Sequence, residues 1–272
     1  MELRKLREAA DLTSEAAAVA LGWHPSKMSR LEGGRGGVRG QEVGRLLDLY
    51  GVSAVGEREA LAELAREGRR RVWWQPYNDV LAKQYASFIS FEVEASSIRN
   101  YQVSAVPGLL QTADYARELT RSANPDYTPE DVNALVEVRL ARQNAAWERE
   151  VPLKLWAILD EAALHRVVAG PAAMARQLQR LISASERPGL TLQVLPFSAG
   201  AHAGMPAPFL ILSFPVRDDL DVVYLESHTS SLFLEREEDL AHYGRTFDLM
   251  RAAALDTGPS RDLIARLARE LG

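Results

Sequence analysis

Two sets of residues in this chain have the types and spacing that chemistry requires. The first lies close to the start. His24, Pro25, Ser26 and Lys27 form the expected opening turn of a short helix, with Ser29 and Arg30 one turn further along. Ser26 can donate to or accept from a base edge. The Arg30 guanidinium has the fork that reaches guanine O6 and N7 with two hydrogen bonds, or it can hold a phosphate instead. Lys27, Ser29, Arg35 and Arg39 supply the cations and the hydroxyl that phosphate contacts draw on. Such a grouping suits a nucleic-acid surface.

The second set is acid–base chemistry: Asp160, Glu161, His165, His202, Glu226 and His228. Their spacings give no H-x-x-x-H zinc pair, and Ser198, in PFSAGA, lacks the G-x-S-x-G elbow of a nucleophilic serine. The chain has no Cys, which removes disulfides, thiol catalysis and Cys-based zinc sites together. No catalytic residue, metal or cofactor is expected, and the chain reads as a non-enzyme. The most distinctive loop of this half is FSAGAHAGMPAP, Phe197 to Pro208. Its Phe197, Ser198, Gly200, His202 and Met205 can frame a small ligand or a protein partner, or simply connect two strands.

Positioning the first set falls to a helix, a tight turn and a second helix. Ser14 to Leu21 is an Ala-rich helix, and Ala is the best helix former. Gly22 supplies the positive φ that ends it. Trp23 and His24 bridge to the second helix, Pro25 suits its first position because the N–H it lacks has no intrahelical partner there, and Met28 and Leu31 point inward. Helix, turn, helix of this size is the motif whose second helix fits the major groove. Around it, Glu2 to Ala10 forms a first helix with Leu3 and Leu6 on one face. After the Gly-rich Arg35–Gly40 loop, Gln41 to Tyr50 places Val43, Leu46, Leu47 and Tyr50 at helical spacing, and Glu57 to Arg71 adds a fifth helix.

The formal net charge of −5 argues at first against nucleic acid. The charge is unevenly spread, however. Residues 1–71 carry 13 Lys and Arg against 11 Asp and Glu, a net +2, and the rest carry 19 against 26, a net −7. At 272 residues, about 150 per domain suggests two domains: 1–71, and 72–272, the latter with a separate task. The Arg69–Arg71 run ahead of VWWQPY reads as a helix C-terminus entering the second domain. No apolar run reaches the ~18 residues of a membrane span, and Met1 leads into a charged helix, so a cytoplasmic, nucleoid-associated protein is expected.

In residues 72–272 the expected helices are Asn78–Phe91, Gln111–Arg121, a long one through Trp147 capped by Thr128 with Pro129 at its first position, Pro171–Glu186, Glu237–Ala254 and Ser260–Leu271. The long helix shows one stripe of Val132, Leu135, Val136, Arg139, Leu140 and Gln143. Strands are expected at Ser96–Gln102, Leu153–Leu159, Leu190–Pro196, Pro208–Pro215, Asp221–Glu226 and Ser231–Glu235. Most of the strands follow helices, so the fold class is α+β: a five-helix all-α head, then a larger domain around a mostly antiparallel sheet.

The Leu12–Glu32 stretch, LTSEAAAVALGWHPSKMSRLE, resembles the Cro/C1-type (Xre family) DNA-binding domains of bacteria and phages. The resemblance implies an ion pair between Arg7 and Glu32 tying the first helix to the end of the recognition helix; two separately solvated charges are the alternative. Ser14 stands where many relatives carry a Gln that contacts DNA. The segments WWQPYNDVL, VPGLLQTADYAR, VRLARQNAAWE, LWAILDEAALHR, LQVLPFSAGAHAGM and VVYLE resemble the DUF5753 domain of actinobacterial regulators. Many relatives are encoded beside a small DUF397 protein in an antitoxin-like arrangement. The resemblance therefore implies a transcriptional regulator with operator DNA and a DUF397-like protein as partners. Homodimerisation follows from a different consideration, the small surface of a single DNA-binding module. A second domain that senses a small molecule, or catalyses, is the alternative.

Overall fold

A computed structural model describes residues 2–23, 27–28, 32, 40–52, 54, 56, 58, 77, 81–215, 221–227 and 230–272. The chain divides into two compact units, Met1–Pro76 and Tyr77–Gly272.

In the first unit, α1 (Glu2–Ala9), α2 (Ser14–Leu21) and α3 (Gly40–Leu49) are the first, second and fourth helices expected. Lys27, Met28 and Glu32 are helical. Of the fifth expected helix only Arg58 is described, also helical; the rest lies outside the described residues. The core gathers Ala17, Ala18 and Leu21 of α2, Met28, and Val43, Leu46, Leu47 and Tyr50. All eight are buried, as expected for Val43, Leu46, Leu47 and Tyr50 from their helical spacing and for Met28 as an inward position.

The second unit begins with α4 (Lys83–Glu94), which starts later than expected, and β1 (Ser97–Gln102). Then come α5 (Ala113–Ala123), α6 (Pro129–Trp147), β2 (Lys154–Asp160), α7 (Glu161–His165), α8 (Pro171–Ser185) and β3 (Leu190–Leu195). β4 (Phe209–Ser213), β5 (Val222–Glu226), β6 (Ser231–Leu234), α9 (Glu237–Ala253) and α10 (Thr257–Leu271) complete it. α6 opens with a reciprocal cap: the Thr128 hydroxyl accepts from the Asp131 N–H at 3.1 Å, and the Asp131 carboxylate accepts from the Thr128 N–H at 3.0 Å.

The six strands form one sheet in the order β3-β2-β1-β4-β5-β6. The mostly antiparallel expectation is corrected here, because the sheet is mixed. β1, β2 and β3 run parallel; β4, β5 and β6 join the other side of β1 antiparallel. The connections explain the split. α5 and α6 lie between β1 and β2, and α7 and α8 between β2 and β3, long enough for the crossovers that parallel neighbours need. Along the strands, alternate residues enter two cores. Ile98, Leu155, Ala157, Leu159, Leu212 and Tyr224 pack with α4, α5, α6, α8 and α10. Tyr101, Ile158, Phe209, Ile211 and Val223 pack with Phe247 and Met250 of α9 on the opposite face.

The α6 stripe is rotated from expectation. Leu140 is exposed, while Val138 and Arg142 are buried. A charged residue takes a core position because Arg142 Nε and Nη2 each donate to the Glu92 carboxylate at 2.7 Å, and Nη1 donates to the Tyr85 hydroxyl. Three buried glutamines pin the Val106–Thr112 loop beside it. Gln143 Nε2 donates to the Gly108 and Gln111 carbonyls, both at 2.9 Å. Gln177 Nε2 donates to the Leu110 carbonyl at 2.9 Å, and its Oε1 accepts from the Thr112 N–H at 2.7 Å. Gln111 Nε2 donates to the Val106 carbonyl at 2.6 Å.

Candidate nucleic-acid interface and the Phe197–Met205 loop

In the first unit the turn after α2 is built from local chemistry. Thr13 is the N-cap: its hydroxyl accepts from the Ala16 N–H at 3.0 Å, and Ser14 is the first helical residue, half-buried. A threonine just ahead of an Ala-rich run is itself the signal for that cap. Gly22 ends α2 at φ +67° and its N–H bonds the carbonyls of Ala18 and Val19. Arg45 Nη2 donates to the Leu21 carbonyl at 3.0 Å, closing the same helix end from α3.

Arg7 and Glu32 are brought together. Arg7 Nε and Nη2 donate to the two Glu32 oxygens at 2.7 and 3.0 Å, and Nη1 donates to the Leu12 carbonyl at 2.5 Å. Both residues are buried. The Glu32 carboxylate holds the Arg7 guanidinium above its ordinary range, outweighing the opposite pull of burial. Tyr50 joins them, its hydroxyl 3.3 Å from Glu32 Oε1 and 3.4 Å from Met28 Sδ. Sequence spacing reads Tyr50 as core only, since nothing along the chain links it to a charge pair eighteen residues away. Lys27 is half-buried with Nζ 4.1 Å from the centre of the half-buried Trp23 ring. The segment ending at Glu32 is thereby tied to α1 and to Tyr50 at the end of α3. His24, Pro25, Ser26, Ser29, Arg30, Arg35 and Arg39 lie outside the described residues.

In the second unit, four of the acid–base candidates meet at the carboxyl end of β2. Asp160 caps α7, accepting from the Ala162 N–H at 2.9 Å. Glu161 accepts from the Phe197 N–H at 2.7 Å, and its other oxygen lies 3.2 Å from His165 Nε2. The His165 and Phe197 rings stack, 5.5 Å between centres. His202 Nδ1 accepts from the Gly204 N–H at 3.2 Å, so a neutral ring carries its proton on Nε2, 3.6 Å from Asp160 Oδ2. Three of these contacts, Glu161 to the Phe197 N–H, His165 against the Phe197 ring and His202 beside Asp160, fasten the Phe197–Met205 loop to α7 and the end of β2. Gly200, at φ +65°, turns the loop, and Ser198 is exposed. Phe197 and Met205 are exposed apolar side chains at its surface.

Beneath the loop lies Tyr101, which sequence reasoning did not single out. It is fully buried, and its hydroxyl has no hydrogen-bond partner among the described residues. Burial first, and the Asp160 charge second, raise its pKa well above the ordinary tyrosine range. Glu226, at the end of β5, is not part of the β2 cluster, and His228 lies outside the described residues. Among the described residues no three of His, Asp and Glu converge to hold a metal ion, and no helix is long and apolar enough to cross a membrane.

Among curated proteins and among solved structures no match is found. Residues 1–61 match a helix-turn-helix domain, which points to a DNA-binding regulator. Residues 85–266 match the family described as a domain of unknown function, DUF5753, and since that match spans most of its length, the chain belongs to this family.

Proposed function

We propose that this protein is a sequence-specific transcriptional regulator, a homodimer on a two-fold operator in the bacterial nucleoid, whose second unit binds a small DUF397-like protein in an antitoxin-like arrangement. The observation that carries the DNA-binding part is the buried junction of Arg7, Glu32 and Tyr50, which fixes the end of the segment holding Lys27. A base-reading helix must be held rigidly if hydrogen bonds to base edges are to discriminate. Dimerisation is argued from size. One such module has little surface, and two half-sites about one DNA turn apart, ~34 Å, multiply specificity. The partner reading is supported by the net negative charge of the second unit and by exposed Phe197 and Met205 on a firmly fastened loop.

The test is binding of the full chain to the DNA upstream of its own gene. Arg30→Ala is expected to cost about 1–3 kcal/mol on the operator and to relax specificity at one base pair. Lys27→Ala is expected to weaken all sequences evenly and to lower the salt dependence by about one phosphate contact. Wild-type binding by both variants would overturn this docking. Equal affinity for one half-site and for two would remove the dimer. Failure of the co-expressed full chain to retain the neighbouring DUF397-like protein would remove the partner.

A further inference from the structure

The helix-covered face of the sheet holds a cavity of about 220 Å³ between α4, β1, the Val106–Thr112 loop and α6. It belongs to none of the sites above. Phe88, Leu119 and Leu210 give it apolar walls; its polar lining includes the paired Glu92 and Arg142, Glu226 at the rim, and Tyr85, Asn100 and Arg139.

Tyr85, Asn100 and Arg139 share one property: each has a donor that its partners here leave unused. Asn100 is 5% exposed on the central strand of the sheet, and its Oδ1 accepts from Gln102 Nε2 at 3.0 Å, but its own amide nitrogen donates to nothing among the described residues. Arg139 Nη1 donates to Gln111 Oε1 at 2.5 Å. Among the described residues its Nε is buried with no partner, and its guanidinium makes no ion pair. The Tyr85 hydroxyl accepts from Arg142 and keeps its own proton to give. Leaving a buried donor such as Arg139 Nε unmet is costly, and so is holding a half-buried guanidinium without an anion. The other charges nearby do not serve Arg139. Glu92 is committed to Arg142 by two hydrogen bonds, and Glu226, an exposed residue at the rim, is engaged by the Tyr224 hydroxyl.

We infer that this cavity binds a small carboxylate with an apolar body. A carboxylate is acceptor-only and takes several donors at once, matching Arg139, Asn100 and Tyr85, while the apolar walls take the body. The wall is preorganised: Gln143 and Gln177 hold the loop, and Gln111 holds both the loop and Arg139. The size suits a free molecule with a single ring or short chain.

Calorimetric titration of the full chain with phenylacetate, hexanoate and the uncharged phenylacetamide tests the assignment, with no dependence on DNA binding. Saturable binding of at least one of the two acids is expected, with phenylacetamide about tenfold weaker or absent. Arg139→Gln and Asn100→Asp are each expected to lose about tenfold or more for the acid that binds. Arg139→Lys keeps the charge and is expected to retain most of the affinity, which separates loss of charge from loss of fold. Arg117→Gln, on the exposed face of α5, is expected to leave binding unchanged. The inference is overturned if neither acid binds saturably, if phenylacetamide binds as tightly as phenylacetate, or if Asn100→Asp, folded, binds like wild type.

Discussion

Two buried charge pairs among the described residues, Arg7–Glu32 and Arg142–Glu92, are chemically alike and differ in what they join. The first ties three helical segments of the head, and the second ties α4 to α6 beside the cavity. Burial pulls the Arg142 guanidinium down, but the Glu92 carboxylate and the Tyr85 hydroxyl outweigh it, and the group stays charged at any working pH. Removing one member therefore strands the other. Glu92→Gln is expected to destabilise the second unit by about 3–5 kcal/mol, whereas Glu92→Gln with Arg142→Met is expected to recover much of that loss. Urea unfolding followed by tryptophan fluorescence measures both, and a single variant within about 1 kcal/mol of wild type would contradict the argument. Neither Glu92 nor Arg142 was legible along the chain. They stand fifty residues apart, and the helix that carries Arg142 reads most simply with Leu140 inward. Arg7 and Glu32 drew notice only through a resemblance, since two charges twenty-five residues apart carry no local signal.

Elements tell the opposite story, because their signals are local. The six strands fall within two residues of their expected ends, since alternation and Pro or Gly punctuation are properties of a few neighbouring residues. What alternation does not carry is partner direction, and there the reading failed. The pattern β1, α5–α6, β2, α7–α8, β3 holds the parallel signature, but a run of later strands draws the eye to hairpins. Loop packing is equally silent in sequence. Gly204 is buried beneath the His202 turn, and a Cβ there would meet Met250 Sδ and stand 2.6 Å from Tyr101 Cε1. The Tyr101 ring is enclosed and cannot yield, so Gly204→Ala is expected to destabilise by about 1–3 kcal/mol. Gly244, in α9, has nothing within 4 Å of such a Cβ, and Gly244→Ala is expected to stabilise by about 0.4–1 kcal/mol. Thermal melts of the two variants should move in opposite directions; a shared direction would refute the packing assigned to the loop.

Across the whole molecule, buried phenols link every core to pH. Tyr50 sits in the core of the head, Tyr115 and Tyr224 on the helix-rich face of the sheet, and Tyr101 on the α9 face. Burial raises the pKa of all four above the ordinary value; Tyr50 is raised further by Glu32 and Tyr101 by Asp160, while the Tyr115 and Tyr224 hydrogen bonds to Val106 and Ser231 pull the other way. The sign follows from proton counting. In the unfolded chain these phenols lose their protons near pH ~10, while the folded chain holds them, so the unfolded state binds fewer protons and stability falls as pH rises. Below pH ~10 both states are protonated and the contribution is fully present. Above it, each phenol removes about 1.4 kcal/mol per pH unit until the folded value is reached, roughly 4 kcal/mol per pH unit for the three in the second unit. Alkaline titration is therefore expected to show tyrosinate absorbance from these groups appearing together with loss of tertiary structure. Tyr101→Phe, which removes a hydroxyl that has no partner among the described residues, is expected to shift the midpoint of the second unit to higher pH with stability near neutrality unchanged or improved. Full tyrosinate absorbance in a chain that is still folded would show that the phenols are open to water and would overturn their burial.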